Sequence, residues 1–446
     1  MEHTTSENAY QKPVNLKNIM KFALPTIAMS LFMSFYTMVD GLFVSNLIGT
    51  NALSAINLTA PVISLVTAIS TMLATGGSAV IMTKMGEGKE KEAREDFTFL
   101  ILVNGAVGMF MWFLGFISMD WFFLKMDLSP EVLFHCREYL SRYLVFTVPI
   151  LLMNNFSLYM IACGKSSLSF ICSVGGGIAN IVLDYVFIRI FGMGTGGAAI
   201  ATGLGYSVTT AVGLVVFSKK TSLLHFEKPV CRLEVLKKAS VNGSSEMATT
   251  LVTGITTLIF NWTMLRYVGE DGVAAITIIM YVLVFVSSLF SGYTYGTAPM
   301  ISYYYGEKNQ EKLKRLIGIS MKVISFISVL SVIVSIGITK PLVAVFTRPD
   351  NPVYELAVVG NRLCSMALLF IGFNIFASGM FTALNNGVVS AVLAFSRSFV
   401  FMTACLLLMP VLFGVTGIWL ANPMAELMAL IFSAVMFIKY KKQYGY

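Results

Sequence analysis

Long apolar runs alternate along the chain with short connections that carry most of its charged residues. A bilayer core of about 30 Å needs about 20 residues of apolar helix to cross it. Divided on that scale, with breaks where Gly and polar residues interrupt the runs, the pattern predicts twelve membrane-spanning helices: 16–46, 52–83, 95–119, 134–162, 167–191, 197–218, 241–267, 274–305, 314–339, 355–384, 389–413 and 416–438. The chain is therefore predicted to be an all-α integral membrane protein with the lipid bilayer as its surroundings.

The composition supports this interpretation and excludes other classes. Of the 446 residues, 56% are hydrophobic and 12% are charged, whereas a soluble domain has about 25% charged residues. The net charge of +8 comes from basic residues in the connections and not from one face of a folded domain, so no nucleic-acid partner is expected. The six cysteines form no CxxC pair, which argues against a zinc site or a disulfide framework.

The distribution of Lys and Arg predicts the orientation in the membrane, because short basic connections stay in the cytoplasm. The connections on one side, with Arg397 counted among them, carry more than three times as many basic residues as those on the other. The poorer side has Lys125, Arg137, Arg189, Arg266, Lys340 and Arg348. We therefore expect a multi-pass protein of the cell inner (plasma) membrane with both termini in the cytoplasm.

The two halves of the sequence are related to each other. Pairs of identical residues recur at a spacing of 220 or 221 positions: Gly49 and Gly269, Gly76 and Gly296, Gly86 and Gly306, Ala162 and Ala383, Gly196 and Gly417. Since each half has six spans, both halves have the same orientation and are related by an axis along the membrane normal. The predicted organisation is a cytoplasmic tail (1–15), an amino-terminal lobe (16–218), a cytoplasmic linker (219–238), a carboxy-terminal lobe (239–440) and a cytoplasmic tail (441–446).

Four acidic residues fall inside predicted spans: Asp40, Asp184, Glu246 and Glu426. An acidic side chain at the centre of a membrane helix costs at least ~2.5–3.5 kcal/mol, so such residues usually face a cavity or a partner. Asn180 lies one helical turn before Asp184 on the same face. With Asp40 and the Thr202 hydroxyl, this pair offers oxygen ligands for Na⁺ or two carboxylates that share a proton. The alternative is a structural hydrogen-bonded network between the first and fifth spans. Glu246 and Glu426 form a possible second acidic site.

Several segments of the chain share a pattern with known transporters. The first half contains LPTIAMSLFMSFYTMVDGLFVSNLIGTNALSAINLTAP at 24–61, NIVLDYVFI at 180–188 and GGAAIAT at 196–202, and the second contains VNGSSEMATTL at 241–251, GEDGVAAITIIMYV at 269–282 and FNIFASGMFTALNNG at 373–387. In this order they resemble the multidrug and toxic compound extrusion (MATE) family over nearly all of the chain after residue 15. The resemblance implies twelve helices in two pseudo-symmetric six-helix lobes that form a V. It also implies a monomeric secondary active antiporter without a cofactor, which exports lipophilic, often cationic drug-like compounds in exchange for H⁺ or Na⁺.

The resemblance implies roles for individual residues as well. The positions that match the cation site of the family are Asp40, Asn180, Asp184 and Thr202, which would be the metal ligands if the coupling ion is Na⁺. At the repeat positions of Asp40 and Asp184 the second half has Phe260 and Cys405, so this polar cluster is expected in the amino-terminal lobe alone. Family members that couple to sodium through the other lobe also have an acidic residue in the tenth span, where this chain has Asn374.

Two further features belong to the predicted transport site. Pro25 removes a backbone hydrogen bond in the first span and predicts a helix bend, which the resemblance links to protonation near Asp40. Methionine and aromatic side chains suit varied lipophilic cations, because thioethers repack easily. The candidates for substrate binding near the amino-lobe acids are Met33, Tyr36, Asn154 and Asn155.

Other functions fit the sequence less well. A membrane enzyme such as a prenyltransferase would need a DDxxD-like pair, and the sequence has neither this pair nor a GxxxxGK[ST] phosphate loop. The twofold repeat suits alternating access better than a channel. The remaining alternative is a lipid-linked oligosaccharide or cell-wall precursor flippase of the same superfamily, whose cavity would be expected to carry several basic residues. The basic residues assigned to spans are Arg142, Lys322 and Arg362, all toward helix ends, which favours cationic or neutral cargo.

Overall fold

The computed structural model describes residues 9–48, 50–124 and 128–446, and every regular element in these ranges is a helix. The helices of the first half are α1 (Leu16–Leu47), α2 (Thr50–Gly86), α3 (Glu90–Leu124), α4 (Pro130–Val145), α5 (Thr147–Ala162), α6 (Ser166–Asp184) and α7 (Gly194–Phe217). Those of the second half are α8 (Leu233–Tyr267), α9 (Glu270–Gly306), α10 (Gln310–Gly337), α11 (Thr339–Ala344), α12 (Pro352–Cys364), α13 (Leu368–Ala383), α14 (Gly387–Phe395) and α15 (Met402–Tyr444). One π-helical turn follows α6 (Tyr185–Ile190) and another joins α14 to α15 (Ser396–Phe401).

The described helices account for twelve membrane spans. Ten helical segments are long and apolar enough to cross a membrane, and α4 with α5 forms an eleventh that is bent by 54°. The bend has a local cause, because Pro149 lacks the N–H that would bond the carbonyl of Val145. The longest segment, Gly387–Tyr444, is broken at Gly414 (φ 58°, ψ −138°), a backbone conformation that suits glycine. This break divides the segment into two spans, so the described residues contain twelve, in agreement with the hydropathy pattern.

Some helices extend past the predicted spans at charged ends. The first turns of α8 lie within the segment 219–238, which the sequence predicts as a linker, and they carry Lys237 and Lys238. The last turns of α15 carry Lys441 and Lys442. Hydropathy marks the part of a helix that lies in the bilayer, whereas internal hydrogen bonds let the helix continue into water.

The two halves meet through α1 and α2 of the first half and α8 and α9 of the second. Glycine makes two of the contacts between α2 and α9 possible. A β-carbon at Gly86 would overlap the carbonyl oxygen of Tyr303, and one at Gly306 would overlap that of Thr83. Each residue of one contact lies 220 positions from its counterpart in the other, so the two contacts are related by the internal repeat.

Two more glycines bring α2 against α8. A β-carbon at Gly76 would overlap the carbonyl oxygen of Ala239, and one at Gly243 would overlap that of Met72. Small residues of this kind let membrane helices pack backbone to backbone. Because these contacts lie in the second half of α2 and the first half of α8, the halves are closed at the end of the bundle where α1 begins.

The segment before α1 also joins the two halves at this end. Tyr10 is fully buried, its ring stacks on that of Tyr303 with centroids 4.6 Å apart, and its hydroxyl donates to the carbonyl oxygen of Ala162. Its own carbonyl oxygen accepts a hydrogen bond of 3.2 Å from the Tyr304 hydroxyl. Burial raises the pKa of Tyr10 well above its ordinary value. The phenol therefore stays neutral and serves as a donor in a contact between the halves.

The connection between α7 and α8 is held against α3. The Arg232 guanidinium donates hydrogen bonds of 2.6 Å to both Glu95 and Asp96. The ring of Phe226 stacks on Phe97, with centroids 5.5 Å apart. Paired charges and stacked rings thus fix this connection to the first half.

Candidate functional site

A small cavity in the first half, lined by both apolar and polar side chains, is built where α6 and α7 pack closely. A β-carbon at Gly176 would come within 2.5 Å of the carbonyl oxygen of Gly205, and one at Gly205 within 2.7 Å of the carbonyl oxygen of Gly176. This backbone contact brings together the side chains of Asn180 and Thr202, which lie about one turn from Gly176 and Gly205 respectively. The Asn180 Nδ2 donates a hydrogen bond of 3.2 Å to the Thr202 hydroxyl.

The polar groups of this cavity are rich in oxygen. The Thr202 hydroxyl accepts from Asn180 and donates to the carbonyl oxygen of Ala198 at 3.0 Å. The Oδ1 atom of Asn180 is buried and has no hydrogen-bond partner among the described residues. One turn later on α6, Asp184 is fully buried and is not among the described residues that line this cavity. A buried acceptor without a donor, such as the Asn180 Oδ1, is uncommon and needs an explanation. A cation, a proton carried by a neighbouring group or a water molecule would each be a suitable partner for this oxygen.

The cavity itself is small. Its lining includes Met33, Tyr36, Met153, Ser173, Asn180, Thr202, Tyr206 and Thr209, and its volume is about 20 Å³. This is room for about one water molecule or one monovalent ion. Two residues predicted to bind cargo, Met33 and Tyr36, thus share one cavity with two residues predicted to bind the coupling ion. The described residues thus leave only a small space at this point of the first half.

The remaining residues predicted for the first half lie elsewhere. Asn155 is fully buried and donates a 3.0 Å hydrogen bond to Asn104, which holds α5 to α3. Asn154 donates to the Ser70 hydroxyl at 2.9 Å, which holds α5 to α2. Neither asparagine lines the cavity of Met33 and Tyr36. Both carboxamides bond to neighbouring helices, and their role in cargo binding stays a prediction.

Two of the predicted site residues, Pro25 and Asp40, belong to α1. Pro25 lies inside α1, which continues as a helix on both sides of it. Asp40 also belongs to α1, but its side chain lies outside the described residues. The role of Asp40 therefore stays a prediction.

In the second half, Glu246 faces the interface between the halves. Its Oε2 accepts a hydrogen bond of 3.2 Å from the Tyr295 hydroxyl. It lines a cavity of about 30 Å³ together with Thr75 and Ser78 of α2 and Thr294 of α9. Because α8 begins at Leu233, Glu246 lies well inside the helix and not at its end.

Glu426 has different surroundings. Its carboxylate accepts hydrogen bonds from the Arg397 Nε at 2.9 and 3.0 Å and from the Asn374 Nδ2 at 2.8 Å. The Ser433 hydroxyl in turn donates to the Asn374 Oδ1 at 3.1 Å. Glu426 is therefore held inside the second half by a cationic partner, apart from the cavity that contains Glu246.

Arg397 was predicted to belong to a cytoplasmic connection, and the structure shows that this prediction is wrong. Arg397 lies in the π-helical turn between α14 and α15, with its side chain 19% exposed and paired with Glu426. The flanking Ser396 and Ser398 make the segment look like a polar break between apolar runs. Its position within the predicted span 389–413 was the signal that it is a membrane residue with a partner.

Comparisons with known proteins agree with this architecture. The MatE family model matches residues 25–186 and 247–407, one stretch in each half. The multidrug export protein MepA of Staphylococcus aureus (strain bovine RF122 / ET3-1) is 23% identical over 433 residues, which cover 97% of this chain and 95% of the relative. MepA of Staphylococcus haemolyticus (strain JCSC1435) is 23% identical over 95% of this chain and 93% of its own length.

A solved structure shows the same fold. An outward-facing multidrug resistance MATE family transporter of the MOP superfamily superimposes with a TM-score of 0.91 and 23% identity, covering 99% of this chain and all of the other. The family model matches the chain twice, once in each of the halves that the internal repeat relates. Together the two matches cover most of the chain. The chain belongs to the MatE family.

Proposed function

We propose that the protein is a secondary active multidrug efflux antiporter, which exports lipophilic, often cationic organic compounds in exchange for H⁺ or Na⁺. Family membership and the relatives named as multidrug export proteins support this function. The observation that supports the coupling part is the buried Asn180 Oδ1, which has no hydrogen-bond partner among the described residues and lies in a small cavity lined by Asn180 and Thr202, one helical turn before the buried Asp184. The flippase alternative is not favoured, because the relatives named above are exporters of drugs.

The coupling site proposed here consists of Asp40, Asn180, Asp184 and Thr202. Carboxylate, carboxamide and hydroxyl oxygens are the hard ligands that suit Na⁺, and two neighbouring carboxylates can equally share a proton. The site is therefore proposed for a monovalent cation or a proton.

Exchange follows from competition for the same negative charge. Either ion neutralises the carboxylates and leaves the cavity compact, whereas its release leaves a charge that attracts a cationic cargo into the space between the halves. Because both ligands neutralise the same charge, entry of the ion from outside favours release of the cargo there. The closed contacts at the end where α1 begins suit a state that is open to the other side.

The test of this function uses the purified protein in proteoliposomes. We expect ethidium to be expelled from its loaded compartment when a gradient of either Na⁺ or protons is imposed, and to stay when neither is present. Vesicles without protein control for leakage. The proposal is wrong if neither gradient moves ethidium while the same vesicles translocate a lipid-linked oligosaccharide, which would establish the flippase.

The native cysteines offer a direct test of orientation, in which both termini are proposed to be cytoplasmic in a monomeric plasma-membrane protein. Cys231 is exposed and lies just before α8, whereas the other five cysteines are buried or half-buried. We expect a membrane-impermeant maleimide to label inverted membrane vesicles and to leave right-side-out vesicles unlabelled. Cys231→Ser should remove this labelling. Equal labelling of Cys231 from the outside would contradict the orientation.

A further inference from the structure

The second half has its own charged cluster in the counterpart of the helix that carries the proposed coupling site. α6 begins at Ser166 and α14 at Gly387, a spacing that matches the internal repeat. Both helices run into a π-helical turn, directly after Asp184 in the first half and around Arg397 in the second. Such turns are rare and occur frequently at functional sites. The equivalent helices therefore contribute an acid in one half and a base in the other.

Arg397 is bound as a counter-ion. Its Nε contacts both carboxylate oxygens of Glu426, and Asn374 donates a third hydrogen bond to the same group. The Glu426 side chain is 5% exposed and that of Arg397 is 19% exposed. A guanidinium keeps its charge under all ordinary conditions, and charge-assisted bonds of this kind are strong. The pair is therefore a carboxylate with a cation that is tethered to the chain.

The second half has another carboxylate, that of Glu246. It accepts a hydrogen bond from Tyr295 in the cavity between the halves. The titratable and charged groups of this cluster are thus Glu246 on α8, Tyr295 on α9, Glu426 on α15 and Arg397 itself. By contrast, the described lining of the amino-half cavity contains no Lys or Arg.

We infer that Arg397 holds, as a permanent cation, the place in the second half that an exchangeable ion takes in the first. A tethered cation cannot dissociate on either side of the membrane, so Glu426 binds no coupling ion. Arg397 thereby sets the number of ions exchanged per cargo, through Glu426 and without touching the cargo. It is a positioning residue. This inference rests on the proposed antiport function and adds the stoichiometry of coupling to it.

The test is the cargo gradient at which net flux stops. Proteoliposomes are held at zero membrane voltage with valinomycin and equal K⁺, under a tenfold gradient of whichever ion drives the wild type. One exchanged ion per ethidium balances an ethidium gradient of about tenfold, and two ions balance about hundredfold. We expect about tenfold for the wild type and about hundredfold for Arg397→Met, because Glu426 then binds an exchangeable cation.

Matched variants separate this role from a structural one. Arg397→Met/Glu426→Gln should return the gradient to the wild-type value, since the uncovered carboxylate is gone. Arg362→Met removes an exposed arginine of the same half and should leave the ethidium gradient at the wild-type value. If Arg397→Met does not insert, Arg397→Gln removes the charge and keeps a hydrogen-bond donor for Glu426. The inference is overturned if both neutral variants keep the wild-type gradient, or if the double variant keeps the larger one.

The Asp184→Asn background distinguishes failure of this inference from failure of the proposed coupling site. We expect Asp184→Asn alone to support no ion-driven gradient, and Asp184→Asn/Arg397→Met to regain about one tenfold step, because the ion of the second half remains. If Asp184→Asn alone stays coupled, the site in the first half is wrong, and the comparison of Arg397→Met with its double variant still decides the role of Arg397.

Discussion

Asp184→Asn should abolish the ethidium gradient that the wild-type protein maintains with an imposed ion gradient. A tenfold ion gradient is worth about 1.4 kcal/mol and supports about tenfold accumulation when one ion is exchanged per cargo. Asn has nearly the shape of Asp and cannot bind a proton or balance a sodium ion, so the driving force is lost while the packing is kept. The measurement is ethidium flux in proteoliposomes at zero voltage.

Two comparisons show whether this loss is specific. Asn has nearly the shape of the fully buried Asp184 side chain, so Asp184→Asn should insert into the membrane and fold as the wild type does. Asp120→Asn is the matched control, since Asp120 is 66% exposed and pairs with Arg137 at a surface 3.0 Å contact. It should transport as the wild type does. Wild-type accumulation by Asp184→Asn would contradict a coupling role for the first half.

Gly243→Val should have the largest effect on stability and should stop transport. A β-carbon at Gly243 would overlap the backbone carbonyl of Met72, and a backbone atom cannot turn away as a flexible side chain can. Overpacking of a well-packed interior costs typically 1–3 kcal/mol, and a backbone obstacle places this change at or above the upper end. We expect a Tm lower by several degrees and loss of the closed contact between α2 and α8.

Gly254→Val provides the control for this substitution in the same helix. A β-carbon at Gly254 would meet no atom within 4 Å among the described residues. We expect its free energy of unfolding to change by about 0.5 kcal/mol or less and its ethidium efflux to be retained. If both valine variants unfold and transport alike, the close approach of α2 and α8 is not what closes this end of the bundle.

Length and hydropathy were sufficient to predict the spans, because each of the twelve helices needs enough apolar residues to cross the bilayer core. The bend before Pro149 and the π-helical turns were not predicted, since each depends on local backbone geometry within an apolar run. The break at Gly414 falls where the predicted spans 389–413 and 416–438 were separated. The pattern therefore describes helices well and irregularities within them poorly.

The direction in which polar residues face was harder to predict. Asn180 and Thr202 lie in different spans, and the contact of Gly176 with Gly205 that joins them is visible only once helices pack. The pairing of Asn155 with Asn104 was not predicted, because helix rotation within the bundle decides which side a residue faces. Spacing along one helix predicts which residues share a face, but it does not predict which neighbouring helix that face packs against.

The contacts of α2 with α9 have the symmetry of an isologous interface, in which residue i of one subunit meets residue j of its twin and j meets i. Gly86 lies against Tyr303 and Gly306 against Thr83, so one half alone carries both sides of the contact. The fused chain is thus joined as two copies of a single half would be in a homodimer. The interface between the halves is symmetric, whereas the polar sites are not: Cys405 stands at the repeat position of Asp184. The two halves can therefore diverge in chemistry and still keep the surface that holds them together.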